Sequence, residues 1–114
     1  MGQESEYSIE TEKYKQYLVI RFINYEGLDL YNIKELGEVI QVENEKGTED
    51  FIIDMSPIKF IDSSGLGMLA RQGGYLSKKN KKLNLVSLSP SVIHLFRAVG
   101  FDKLFAVSAS LESL

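Results

Sequence analysis

The stretch FIIDMSPIKFIDSSGLGML, residues 51–69, sets the architecture. Phe51-Ile52-Ile53 is a short unbroken apolar run, the pattern of a strand covered on both faces, and it stops at Asp54-Met55-Ser56-Pro57. It predicts a central strand. Ile58 to Ile61 leads into Asp62-Ser63-Ser64, whose short polar side chains suit a helix start, where the first backbone N–H groups lack intrahelical partners. Leu66, Leu69, Gly73 and Leu76 then recur on one face of that helix. Gly65, Gly67, Gly73 and Gly74 also lie in it, each costing about 1 kcal/mol relative to alanine. Four such residues predict a close approach of the helix backbone to the sheet or to a partner.

Upstream, Tyr7 to Glu12 alternates loosely and Tyr17-Leu18-Val19-Ile20-Arg21-Phe22 reads as a stronger strand, so the short link Lys13-Tyr14-Lys15 predicts a hairpin. Asn24 to Gly27 reads as a loop. From Tyr31 to Glu45, Ile33, Leu36, Val39 and Ile40 make the stripe of an amphipathic helix, with Asp29 as its expected cap and Gly47 as its left-handed end. Downstream, Leu83 to Leu88 predicts a strand, and Ser89-Pro90 a cap followed by proline at the first helical position. Val92, Ile93, Phe96 and Val99 form that helix's stripe, which ends at Gly100; Phe105 to Val107 is a last strand, and residues 109–114 start a helix too short to define. Two strands followed by alternating helices and strands predict an α/β layer structure with right-handed crossovers. No linker or repeat divides the chain, so residues 1–114 read as one domain with its core at residues 7–107.

The chain has 114 residues, 44% of them apolar and 25% charged, with one histidine and no cysteine. This excludes disulfides, thiolate metal sites, a cysteine nucleophile and a multi-histidine metal centre. The opening MGQESEYSIE lacks the basic and apolar regions of a signal peptide, and no apolar run approaches a membrane span, so a cytoplasmic protein without membrane contact is expected. Residues 1–50 carry five Lys or Arg against twelve Asp or Glu, and the remainder eight against four. The basic cluster Lys78, Lys79, Lys81 and Lys82 has no interleaved aromatic residue, so it reads as a solvated helix end and not as a nucleic-acid surface.

Catalytic patterns are incomplete. Ile61-Asp62-Ser63-Ser64-Gly65 places serines between strand and helix but lacks the glycine two residues before the serine of a nucleophile elbow. His94, the one candidate base, sits in Val92-Ile93-His94-Leu95-Phe96, where a solvent-facing position is the simpler reading. Asp54 and Asp62 end consecutive segments and could meet as an acid–base or metal pair, though nothing specifies a third ligand. Gly65-Leu66-Gly67 lacks the third glycine of a dinucleotide fingerprint, and no P-loop is present. No catalytic residue, metal or cofactor is therefore assigned. Asp62-Ser63-Ser64 reads better as a presented surface, with hydroxyls that either cap the helix or accept a phosphate. A phosphate on Ser63 would bring nearly two negative charges beside Asp62, favourable toward a helix N-terminus and repulsive toward an acidic or apolar partner.

Phe60-Ile61-Asp62-Ser63-Ser64-Gly65-Leu66-Gly67, preceded by Phe51-Ile52-Ile53-Asp54-Met55-Ser56, resembles the signature of STAS domains of the bacterial anti-sigma factor antagonist family. Leu85 to Val92, then Leu95-Phe96 and Gly100-Phe101, match a second block, and Gly27-Leu28-Asp29 a third. The resemblance implies a mixed sheet with helices packed mainly on one face. It also implies function by partner exchange. The unphosphorylated form binds an anti-sigma factor that is also a serine kinase and releases a sigma factor; the kinase phosphorylates Ser63, and a PP2C-type phosphatase restores it. Asp62 would shape the site. Ser64, Gly65, Leu66 and Gly67 would belong to the docking helix start, and Asp29 with Asn32 to the neighbouring loop, where the family often has a hydroxyl residue in place of Asn32. Ser64 is the alternative acceptor. Other readings are an adaptor or scaffold in another serine-phosphorylation pathway, and a small enzyme using Asp54 and Asp62. A monomer or weak dimer is expected.

Overall fold

The structure, a computed structural model, describes residues 7–114; residues 1–6, part of the stretch read above for a leader, lie outside the described residues. β1 (Ser8–Tyr14) and β2 (Tyr17–Ile23) form the expected hairpin, antiparallel from Ser8↔Ile23 to Tyr14↔Tyr17. Its tight link puts Lys15 in the left-handed region at φ 57°. After β3 (Gly27–Leu28) and α1 (Ile33–Glu45), β4 (Phe51–Asp54) pairs parallel with β2. The chain continues as β5 (Phe60–Ile61), α2 (Ser63–Ser77), β6 (Leu83–Val86), α3 (Pro90–Ala98) and β7 (Phe105–Ser108). β6 pairs parallel with β4 and β7 with β6, so the main sheet has the order β1-β2-β4-β6-β7. β4 is its middle strand, as the unbroken apolar run predicts, with Phe51, Ile52 and Ile53 fully buried.

All three helices cover one face. Leu36 and Ile40 of α1, Leu69 and Leu76 of α2, and Val92 and Phe96 of α3 share a single core with Ile20, Phe51, Ile53, Leu85 and Phe105 of the sheet. The opposite face holds Val19, Ile52 and Val86, packed against Tyr14, Tyr17, Leu111 and Leu114. The last residues make no α-helix: Leu111–Ser113 is a single 3-10 turn, and its Leu111 and the following Leu114 cover this second face. α3 starts as read, with Ser89 Oγ accepting the Val92 N–H (3.3 Å) and proline in the first turn. It ends at Ala98, before the expected Gly100, which follows in the left-handed region at φ 79°; Val99, expected on the inward stripe, is the C-cap and is exposed.

The expected loop at Asn24–Gly27 is corrected at its end, because Gly27 begins β3, which pairs parallel with β5 in a separate two-stranded sheet. Two residues are too few to show an alternation. α1 begins at Ile33, two residues after the expected start.

The glycines of α2 divide by face. A Cβ on Gly65 would lie 2.8 Å from Ile61 Cγ2 and 2.9 Å from the Leu28 carbonyl oxygen, so close approach is required there. Gly67 meets nothing within 4 Å, nor does Gly74, so the expectation of close packing onto the sheet fails for both. Gly65→Ala should therefore destabilise the domain by about 1–3 kcal/mol through overpacking against backbone. Gly67→Ala should stabilise it by about 0.5–1 kcal/mol through helix propensity. Urea unfolding of both variants checks the opposite signs, and two losses of equal size would contradict the assignment of faces.

Candidate functional site

β3 and β5 pair parallel, Gly27↔Phe60 and Leu28↔Ile61, so the chain leaves both strands at one end and turns there into α1 and α2. Phe60 lays its ring over Gly27, which leaves no room for a side chain at that position. Asp62 takes the N-cap of α2 with extended backbone, φ −89° and ψ −178°. Its Oδ1 accepts the Gly65 N–H at 3.0 Å, and its Oδ2 accepts the Leu30 N–H at 3.2 Å. Its own N–H donates to the Leu28 carbonyl at 3.0 Å. One carboxylate thus caps α2 and ties down the loop that enters α1.

That loop is closed from within. Asp29 Oδ1 accepts the N–H groups of Tyr31 (2.9 Å) and Asn32 (3.2 Å). Asn32 Oδ1 accepts the Asp29 N–H (3.0 Å), while its Nδ2 donates to the Gly27 carbonyl (2.8 Å). Asp29 is therefore not the cap of α1, as the sequence suggested. Asn32 occupies that position without a side-chain cap bond, because its amide is committed to the turn that Asp29 closes. Asn32 is only 4% exposed and holds the loop instead of presenting its own side chain. Beneath it the Tyr25 hydroxyl donates to Glu35 Oε1 (2.9 Å) and lies 3.3 Å from the Asn32 carbonyl oxygen. Burial, reinforced by the bond to Glu35, pushes the Tyr25 phenol well above its ordinary value.

Ser63, the first residue of α2, is exposed, and among the described residues its hydroxyl has no hydrogen-bond partner; the same is true of the half-buried Ser64. Capping falls to Asp62 alone, which leaves both hydroxyls uncommitted. Gly65 is buried, Leu66 half-buried and Gly67 exposed. Around Ser63 the sequence reading missed three exposed apolar side chains: Leu30 (66% exposed), Tyr31 (86%) and Phe60 (52%). The adjacent pair Leu30-Tyr31, outside the α1 stripe and between polar residues, was the available signal. A groove between α1 and α2, missed as well, opens at Ser63 and Ser64 and is lined by Lys34, Gly37, Gly67 and Arg71.

Asp54 and Asp62 have separate partners. Asp54 accepts the Ser56 N–H (3.0 Å) and faces Arg21 Nε at 3.7 Å, whereas Asp62 is held between Leu30 and Gly65. Among the described residues, no group of three or more His, Asp or Glu could hold a metal ion. His94 is exposed on α3. In the basic cluster, Lys79 pairs with Glu49 (2.9 Å) and Lys81 with Asp50 (3.3 Å).

The profile described as STAS domain matches residues 8–114. The chain belongs to the STAS domain family. An anti-sigma-B factor antagonist of Staphylococcus aureus is 29% identical to this STAS domain over 85 residues, 75% of this chain and 79% of that protein. An anti-sigma factor antagonist from Mycobacterium paratuberculosis superposes with a TM-score of 0.79 at 21% identity, over 95% of this chain and 90% of that one. The phosphorylated form of the Bacillus cell fate determinant SpoIIAA gives 0.69 at 20% identity, over 93% and 96%. At these identities the two solved structures speak to fold: a mixed sheet with its helices on one face. No helix among the described residues is long and apolar enough to cross a membrane.

The Tyr25 phenol under the STAS loop offers a test by pH. Its folded-state value is raised, so the stability it contributes is complete below the ordinary tyrosine value of about 10 and is lost as pH rises beyond it. Tyr25→Phe should cost about 1 kcal/mol at neutral pH through the missing bond to Glu35. It should also lose less stability than the parent between pH 9 and 11, as followed by thermal unfolding in steps of pH (~0.5 apart). Parallel alkaline losses in the two proteins would show that Tyr25 is not the group involved.

Proposed function

We propose that this STAS domain is an anti-sigma factor antagonist that acts in the cytoplasm by partner switching, as a monomer or weak dimer. Unphosphorylated, it binds an anti-sigma factor with serine kinase activity and so frees a sigma factor. Phosphorylation of Ser63 ends that binding, and a PP2C-type phosphatase reverses it. The observation that carries the reading is the exposed Ser63 hydroxyl, without a partner among the described residues, one position after the Asp62 carboxylate that orders the surface around it.

The chemistry fits that place. In the transfer, Ser63 Oγ bonds to the γ-phosphorus of ATP, the bond from that phosphorus to the β,γ-bridging oxygen breaks, ADP leaves, and a base of the kinase takes the hydroxyl proton. The product carries a further charge of about −1.5 to −2 at neutral pH, beside Asp62 and within a surface that also exposes Leu30, Tyr31 and Phe60. An apolar or acidic partner surface pressed against this helix start meets that charge directly, and no refolding is needed. Ser64, Leu66 and Gly67 continue the docking surface along α2, buried Gly65 seats that helix start against Leu28 and Ile61, and Asp29 and Asn32 support the surface from the adjoining loop.

Titration calorimetry against the purified anti-sigma factor of the same organism tests the reading. Ser63→Ala should bind as the parent does, and Ser63→Asp at least about tenfold more weakly, a loss of ~1.4 kcal/mol. Phosphosite mapping after incubation with that factor and ATP should place the phosphate on Ser63. Equal affinities for the two variants together with phosphorylation elsewhere would reject the proposal.

A further inference from the structure

Lys34 lies in the first turn of α1 and, with Ser63 and Ser64, lines the mouth of the groove between α1 and α2. Two observations hold the helix starts together. The parallel pairing of β3 with β5 delivers both to one end of the molecule, and the bond from the Leu30 N–H to Asp62 Oδ2 fixes their spacing. Lys34 nevertheless makes no ion pair among the described residues, although Glu38 follows it by one turn on the same face. Lys34, without an ion pair among the described residues, therefore lines the same groove as the exposed Ser63.

Other cations fit that place less well. Arg71 lines the same groove and is also unpaired among the described residues, but eight residues along α2 put it about 12 Å from Ser63. Lys79 and Lys81 are engaged by Glu49 and Asp50 beyond the far end of α2.

We propose that Lys34 is the residue that receives a phosphate placed on Ser63, closing the mouth of the α1–α2 groove with an ion pair inside the domain. The inference rests on the reading of Ser63 as the phosphoacceptor and names what that phosphate meets. A phosphate dianion and an ammonium form charge-assisted hydrogen bonds, stronger than those between neutral groups. The unmodified domain offers a partner the Lys34 ammonium together with the exposed Ser63 hydroxyl. The modified domain withdraws that cation into its own ion pair and presents the negative charge of the phosphate beside Asp62. One event thereby removes an attractive contact and adds a repulsive one.

The phosphate's second ionisation reads this pair directly. Asp62 beside Ser63 and Glu38 within the groove disfavour the dianion, whereas Lys34 favours it, so the informative quantity is the change when Lys34 alone is altered. The experiment uses the full chain with phosphoserine installed at position 63 during translation, titrated by 31P NMR. Lys34→Gln should raise the second pKa by about 0.5 at low salt, a gap that narrows toward 1 M salt. Lys34→Arg should restore the parent value, and Arg71→Gln should leave it in place. A Lys34→Gln titration that overlays the parent, or a larger shift from Arg71→Gln, would overturn the proposal. Because the phosphate is installed without a kinase, a failed binding or kinase experiment strikes the functional reading while this titration judges Lys34 separately.

Discussion

The Asp62 carboxylate is the constraint on which the functional end of the molecule depends. Its two oxygens accept N–H groups from different elements, Gly65 in the first turn of α2 and Leu30 in the loop before α1, at 3.0 and 3.2 Å. A helix start needs an acceptor for its free N–H groups, and an exposed loop needs a reason to hold one shape. One side chain supplies both. Because the capping is done by Asp62, the hydroxyls of Ser63 and Ser64 remain uncommitted among the described residues. The surface is thus built around a serine that the fold does not use.

The rest of the domain sets the stage for that carboxylate. Three helices cover one face of a sheet with β4 in its middle, and the helix starts are tied into the same core through Leu28, Ile61 and Leu36, with Ile33 and Leu66 packed against it. The β3–β5 pair, only two residues long on each side, brings the two starts together in register. Gly65 lets α2 sit against Leu28 and Ile61, and Gly67 leaves the neighbouring face open as the wall of the groove. A stripe of glycines that looks uniform in sequence thus serves two purposes on two faces of one helix.

Most of the fold was legible because its signals are periodic. The apolar run of β4, the α1 stripe, the Val92 and Phe96 part of the α3 stripe, and the Ser89-Pro90 start of α3 follow from side-chain spacing and backbone chemistry, whereas Val99 falls outside α3 and is exposed. The elements that escaped are those too short to have a period: β3 and β5, the 3-10 turn at Phe101–Lys103, and the 3-10 turn at Leu111–Ser113, where Leu111 and the following Leu114 cover the second face of the sheet. At the site, Asp62 and Ser63 stood out as a polar pair at a strand-to-helix junction. The roles of Asp29 and Asn32 could not be read in the same way, since an Asx residue before a helix serves equally as cap or as turn closure, and only the direction of each amide decides. Lys34 was hidden for another reason. Its neighbour Ser63 is 29 residues away in sequence, and only the parallel pairing of β3 and β5 places the two on one groove.

Amide hydrogen exchange in Asp62→Asn compared with the parent reads the dependence of both helix starts on the Asp62 carboxylate. The carboxamide keeps the shape of the carboxylate but offers a single oxygen and no charge, so it cannot accept from both helix starts. At least one of the Leu30 and Gly65 amides should exchange faster by about tenfold or more, while the Ile53 amide in β4 keeps its protection. Parent-like exchange at both Leu30 and Gly65 would show that neither helix start depends on Asp62 and would contradict this assignment.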